Sequence, residues 1–282
     1  MENILNVLIL AAIGLVILLV VGFIGFKIPA PLLRPPGAPT GPVIHLTSPD
    51  SLPPAARRWL FYNSQAAPAP SSLAAWGRGW VASSLPVLGR VWLPLSWTIY
   101  LIPGSSFIIL NRITWFTRFF IRGGEEFRGG KGAFIIGKHA NEYPYLDETE
   151  RALAWFYSIW LASGSLANMP DVNIDPGEDG DVKMTVQAAS KPEIQFKLDF
   201  DPQTGLLRAI TGTRKGGRTG SDLFYQATLS QPRSFEGAGT IPSRYTANWD
   251  HDINVKLELG GILLNQDVTD PMRAGLAELH LS

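Results

Sequence analysis

No cysteine occurs among the 282 residues. That excludes disulfides, thiolate metal sites, cysteine nucleophiles and a lipid-modified N-terminal cysteine, and it leaves the redox compartment undecided. A net charge is also missing: 24 basic side chains stand against 24 acidic ones. An electrostatic nucleic-acid binder carries a basic surplus, so nucleic acid is not an expected partner. Charged residues of either sign are scarce, at 17% against roughly 25% in average soluble domains. Histidine is limited to His45, His139, His251 and His280. The G-x-S-x-G, H-E-x-x-H and dinucleotide-binding fingerprints do not occur. No catalytic residue, metal site or cofactor is therefore expected.

What the chain does have is apolar surface, with 46% hydrophobic residues. From Val7 to Phe26 it runs twenty residues without a charge. At ~1.5 Å per residue a helix of that length spans the ~30 Å hydrocarbon core of a bilayer. A buried core helix shows a polar stripe, and this run shows none. A cleaved signal peptide has a basic n-region and a small-x-small cleavage site. Here Glu2 precedes the run, without Lys or Arg, and Gly25-Phe26-Lys27-Ile28-Pro29 ends it. A single-pass membrane anchor over residues 1–28 is expected. Residues 29–54 follow with nine of the chain's 22 prolines. Proline removes a backbone donor and fixes φ, so this stretch reads as an extended tether. The remaining residues, 55–282, read as one domain.

In that domain Ala55–Tyr62 suits a short helix begun by Pro53-Pro54. Residues 66–90, rich in Ala, Pro, Ser and Gly, read as a surface loop. Trp76, Arg78 and Trp80 within it are candidates for contact with the membrane interface. Residues 91–111 are long and uncharged, but Pro103-Gly104-Ser105-Ser106 interrupts them. Leu93, Leu95, Trp97, Ile99 and Leu101 alternate with Ser96, Thr98 and Tyr100, which predicts a hairpin and not a second span. Beyond the turn, Phe107, Ile109, Ile113, Trp115, Phe119 and Ile121 share one face, with Arg112, Thr114, Arg118 and Arg122 opposite. Period-two alternation recurs around 182–187, 194–200 and 253–259, the mark of half-buried antiparallel strands. Turns are expected at Arg122-Gly123-Gly124, Arg128-Gly129-Gly130, Asp201–Gly205 and Gly216-Gly217. Asp147–Ser163 is the best helix, with acidic residues in its first turn and Gly164 after its end. The fold class is α+β: a single N-terminal transmembrane helix, then a strongly twisted antiparallel sheet covering one or two helices.

Polar clusters have ordinary readings. Glu125-Glu126 beside two glycines reads as a solvated turn. Asp250-His251-Asp252 shares a metal only in a turn, and His139 with Glu142 only on a helix. Residues 212–220 hold three cations but lack the G-K-[ST] ending of a phosphate loop, so they read as a hairpin loop. The thirty aromatic residues concentrate in 91–127 and 153–160. They fit either a plain β-domain core or an apolar pocket lined by Trp97, Phe107, Trp115, Phe156 and Trp160.

The order of motifs resembles an uncharacterised bacterial family of membrane-anchored β-domains. The residues that carry the likeness are Leu52-Pro53-Pro54-Ala55-Ala56-Arg57-Arg58-Trp59-Leu60, Ile113-Thr114-Trp115-Phe116, Phe200-Asp201-Pro202-Gln203-Thr204-Gly205-Leu206-Leu207, Ile241-Pro242-Ser243-Arg244-Tyr245 and Asn265. More distantly, the order is similar to the LolA/LolB-like lipoprotein carriers. That likeness implies a half β-barrel wrapped round helices, with an apolar cavity for acyl chains. The carriers are soluble or lipid-anchored, whereas a protein anchor here would prevent shuttling between membranes. The likeness implies an extracytoplasmic β-domain, while Lys27 and Arg34 after the span point to the cytoplasm. We adopt the extracytoplasmic side as the expectation. The expected function is non-enzymatic binding of a lipid or other hydrophobic molecule at the bilayer surface. The alternative is an accessory subunit of a membrane complex, with other membrane proteins as partners.

Overall fold

The structure is a computed structural model that describes residues 2–32, 35, 52–64, 69–85, 89–116, 119–137, 139–141, 143–166, 169–177, 181–188, 191–215, 220–249 and 252–281. Most of the proline-rich stretch, Glu142, Gly216-Gly217 and Asp250-His251 lie outside the described residues.

Helix α1 (Glu2–Gly25) contains a stretch, Ile4–Gly25, long and apolar enough to cross a membrane. Helix α2 (Pro54–Ser64) starts with proline in its first turn, where a missing N–H costs no hydrogen bond. It buries Trp59 against the ring of Phe200 at 5.4 Å.

The strands that follow are β1 (Leu73–Leu85), β2 (Gly89–Ile102), β3 (Ser106–Trp115), β4 (Phe119–Arg128), β5 (Lys131–Ile136) and β6 (His139–Asn141). Helices α3 (Leu146–Leu161) and α4 (Ser163–Leu166) interrupt them. Then come β7 (Val172–Pro176), β8 (Val182–Ala188), β9 (Lys191–Phe200), β10 (Leu207–Lys215), β11 (Asp222–Phe235), β12 (Gly239–Trp249) and β13 (Asp252–Leu264), before helix α5 (Thr269–Leu281).

The 13 strands among the described residues form one antiparallel sheet, ordered β6-β5-β4-β3-β2-β1-β13-β12-β11-β10-β9-β8-β7. Two meanders are thus joined at the centre by the β1–β13 pairing, with Val81 opposite Val255. The edges are β6 and β7, and the chain passes from one to the other through α3. The sheet is an open barrel curled round that helix. Residues of α3 from Thr149 to Leu161 are buried on every side, so this is an enclosed helix and not a covering one. Its wall comes from both meanders, including Leu95, Ile99 and Phe107 on one side and Phe196, Ile210 and Tyr245 on the other.

Strand β3 shows why 107–110 lacks alternation. Phe107 and Ile109 face α3, while Ile108 faces outward beneath α5, packed with Ile135, Met272 and Leu276. A strand covered on both faces reads as a continuous apolar run. The hairpin expected over 91–111 is formed, with Leu101 opposite Phe107.

Two local expectations are corrected. Residues 73–85, read within a loop, form β1; its inward face carries Ala75, Gly77 and Gly79, whose small size hides the alternation. A side chain at Gly77 would meet the backbone oxygen of Glu258 at 2.0 Å and the indole of Trp97 at 2.7 Å. Gly123-Gly124 is not a turn but the middle of β4. Gly124 makes room for α5, because a Cβ there would lie 2.5 Å from Leu276. The run from Phe107 to Ile121 forms two strands that turn back after Trp115, and the expected shared face holds because Ile113 and Ile121 are cross-strand partners. The turn at Gly129-Gly130 is present, both residues having positive φ.

Candidate functional site

Between the concave face and α3 lies a cavity of about 220 Å³. Leu95, Ile109, Ile113, Leu153 and Leu257 supply much of its apolar wall. Gly123 and Ala247 reach it with little or no side chain, which leaves space a larger residue would fill. Its polar boundary includes Glu125, Tyr157, Tyr225 and Tyr245.

The polar boundary is one connected cluster. The hydroxyls of Tyr225 and Tyr245 share a 2.6 Å hydrogen bond, and the ring of Tyr157 lies 6.1 Å from that of Tyr245. The guanidinium of Arg214 sits 5.7 Å from the ring of Tyr225. Glu150, in the first half of α3, is buried, and its Oε2 makes no hydrogen bond among the described residues. Helix α3 approaches this closely because Gly132 has no side chain and its N–H donates to Asp147 Oδ1 at 2.8 Å.

Burial pushes the carboxyl of Glu150 well above the usual carboxylate range, the charge of Glu125 pushes it further, and Arg214 opposes both. Burial also raises Glu125, again against the pull of Arg214. Desolvation likewise raises Tyr157, Tyr225 and Tyr245, keeping their hydroxyls as donors. Both shifts favour the protonated carboxyl over the charged one, as an apolar enclosure requires of acids that burial desolvates. Chemically it offers hydroxyl and carboxyl hydrogen bonds to the polar end of an apolar guest.

The aromatic residues singled out from sequence sit in different places. Trp97, Phe107, Phe156 and Trp160 are fully buried in the main core beside the cavity. Trp97 packs on Trp160 at 5.9 Å, Phe107 on Tyr157 at 5.3 Å and Phe156 on Tyr225 at 4.3 Å. Trp160 stacks on Tyr245 at 4.7 Å, so these rings back the cavity's tyrosines. Trp115 stands apart, at the end of β3, where its indole N–H donates to Gly22 O of α1 at 3.0 Å. Ile113, two residues earlier, lines the cavity, so the rim of the barrel adjoins the end of the apolar helix. Trp76 is buried against Gly261, while Arg78 and Trp80 line a groove on the outer face of the sheet.

Two polar readings are corrected. Glu125-Glu126 is not a solvated turn: the pair lies in β4, Glu125 at the cavity and Glu126 outward, accepting the N–H of Leu276 at 2.7 Å. The residues from Gly212 to Lys215, read as loop, belong to β10, and Arg214 points inward with Ile210 and Gly212. A signal was available. Counting period two straight through Gly123-Gly124 places Glu125 on the face of Ile121 and Phe127. Glu150 carried no such signal, because the acid-rich first turn of a helix normally meets solvent.

No family model and no curated protein matches the chain. Among solved structures it is similar to a LolA superfamily protein from Nitrosomonas europaea, with TM-score 0.43 and 8% identity over 80% of this chain and 97% of that one. It is also similar to a putative outer membrane lipoprotein-sorting protein domain from Vibrio parahaemolyticus, with TM-score 0.35 and 6% identity over 77% of this chain and 96% of that one. The open-barrel architecture rests on the strand order itself.

Proposed function

We propose that this protein is held in a membrane by α1 and binds part of a lipid or other hydrophobic molecule, without chemical turnover, between the curved sheet and α3. The observation that carries this reading is the largely apolar cavity of about 220 Å³ whose lining includes Glu125, Tyr157, Tyr225 and Tyr245. An engineered ~150 Å³ apolar cavity admits benzene, whereas drug-sized ligands occupy roughly 300–1,000 Å³. The volume suits one ring or one segment of an acyl tail, not a whole multi-chain lipid. The buried tyrosine and glutamate cluster would receive a hydroxyl or carbonyl on that segment. The rim's contact with the end of α1 favours entry from the bilayer. We place the β-domain on the extracytoplasmic side.

Native mass spectrometry of the full chain, extracted gently from its own membranes, tests the binding reading. A discrete adduct that dissociates as a lipid is expected. Ala247→Phe, which fills the cavity from a buried position on β12, should remove it. Small-to-large changes in a packed core cost about 1–3 kcal/mol, so the variant's thermal midpoint is read alongside. A folded wild-type chain with no adduct, or an adduct indifferent to Ala247→Phe in a folded variant, overturns the reading.

A further inference from the structure

On the outer face of the sheet, opposite the cavity, a groove of about 700 Å³ runs across β1, β12 and β13 to the residues that follow α1. Lys27, Arg78, Arg244 and Lys256 line it against one carboxylate, Glu258. The register explains the grouping: Glu258 is opposite Arg78 on one side and Arg244 on the other. Arg78 Nε approaches Glu258 Oε2 at 3.4 Å. Among the described residues no carboxylate pairs with Arg244 or Lys256. The groove thus concentrates three excess positive charges in a chain whose total is zero. Trp80 and Trp92 also line it, and the ammonium of Lys256 lies 4.4 Å from the ring of Trp92.

From this geometry we infer that the groove is a binding site for the anionic headgroup of a phospholipid in the bilayer that α1 crosses. The inference rests on the anchor reading above and is independent of the cavity. Charge sets the ligand class: unpaired ammonium and guanidinium groups take phosphate oxygens by charge-assisted hydrogen bonds. Position sets the source. Lys27, Pro29 and Ala30 line the groove, and α1 ends at Gly25, so the site lies at headgroup level when α1 spans the membrane. Tryptophan beside cations is the composition of the membrane–water interface.

The test uses the full chain in nanodiscs of phosphatidylcholine with a minor fraction of phosphatidylglycerol. Lipids retained on the protein are read by native mass spectrometry. Wild type should retain phosphatidylglycerol above its bulk fraction. A juxtamembrane cation contributes about fivefold in binding to anionic lipid. The Arg244→Gln/Lys256→Gln double variant, altered at two exposed positions, should therefore lose enrichment by more than tenfold, and Lys256→Arg should keep it. Retention of the two lipids in proportion to their bulk fractions, or enrichment unchanged in the double variant, overturns the groove and leaves the anchor standing. Alkaline carbonate extraction of native membranes reads the anchor separately: a chain released by carbonate sinks the anchor and the headgroup site together. Displacement of the retained lipid by inorganic phosphate alone would identify a free-phosphate site and also overturn the inference.

Discussion

Glu150 concentrates the residue-scale physics of this protein. A carboxyl enclosed by α3, β5 and the tyrosines loses hydration, and neither Arg214 nor a hydrogen bond to Oε2 restores it fully. Its folded-state pKa therefore lies above the unfolded value of roughly 4.3. The sign follows from linkage. Stability is fully present below the unfolded value and falls as pH rises through the raised folded value. One proton accounts for at most about 1.4 kcal/mol per pH unit. Glu150→Gln, which has no charge to bury, should flatten the fall of the denaturation midpoint between mildly acidic and mildly alkaline pH. An unaltered slope in the variant would assign the pH dependence elsewhere. Asp201 runs in the opposite direction: its Oδ1 accepts the N–H groups of Gln203 and Thr204, which lowers its pKa and stabilises the β9–β10 turn above the acid range. The identity of each residue was legible in the sequence. Its surroundings were not, because an acid in a helix's first turn looks the same whether solvent or a second sheet lies beyond it.

At the scale of elements, α5 is held at a break within it. The helix breaks at Gly275, with φ 73° and ψ 172°. Before the break, Arg128 Nη1 donates to the carbonyls of Met272 and Arg273 at 2.7 and 2.9 Å. After it, Glu126 accepts the N–H of Leu276. A cation thus meets carbonyls at a helix end and a carboxylate meets an N–H at a helix start, as the helix dipole favours. Glu126→Ala leaves a partly buried N–H without an acceptor, at a cost of about 1–3 kcal/mol. The expected outcome is faster hydrogen exchange at Leu276 and the outer ends of β3 and β4, with α3 unchanged. Protection at Leu276 equal to wild type would show that Leu276 packing alone holds the segment. Hairpins, by contrast, were readable: Gly129-Gly130 supplies two positive φ values, and the alternation along β2 sets the faces that β3 follows by pairing. Strand β1 was missed because glycine and alanine give no alternation to count, although the close approach of β13 and Trp97 requires them.

The whole molecule joins three regions along one line: the apolar helix, the barrel rim beside it and the cavity inside. Trp115 and Phe26 meet with ring centroids 6.3 Å apart, which ties the β3–β4 hairpin to the end of α1. If α1 is retained as the anchor, the intact mass of chain recovered from membranes includes residues 1–28. Protease added to spheroplasts should then digest the β-domain and leave the α1 peptide in the membrane. Complete protection of the domain would place it in the cytoplasm, the side that Lys27 and Arg34 indicate. The sequence by itself determined the features that depend on near neighbours: a charge-free run of helical length, alternating strands, glycine turns and the absence of cysteine chemistry. Tertiary structure alone decided which polar residues share an enclosure. Glu125, Glu150 and Arg214 lie on three elements separated by up to 89 positions, and only the curl of the sheet round α3 brings them together. The groove has the same origin. Arg78 joins Arg244 and Lys256 when β1 pairs with β13, a pairing between strands some 180 positions apart that local patterns do not encode.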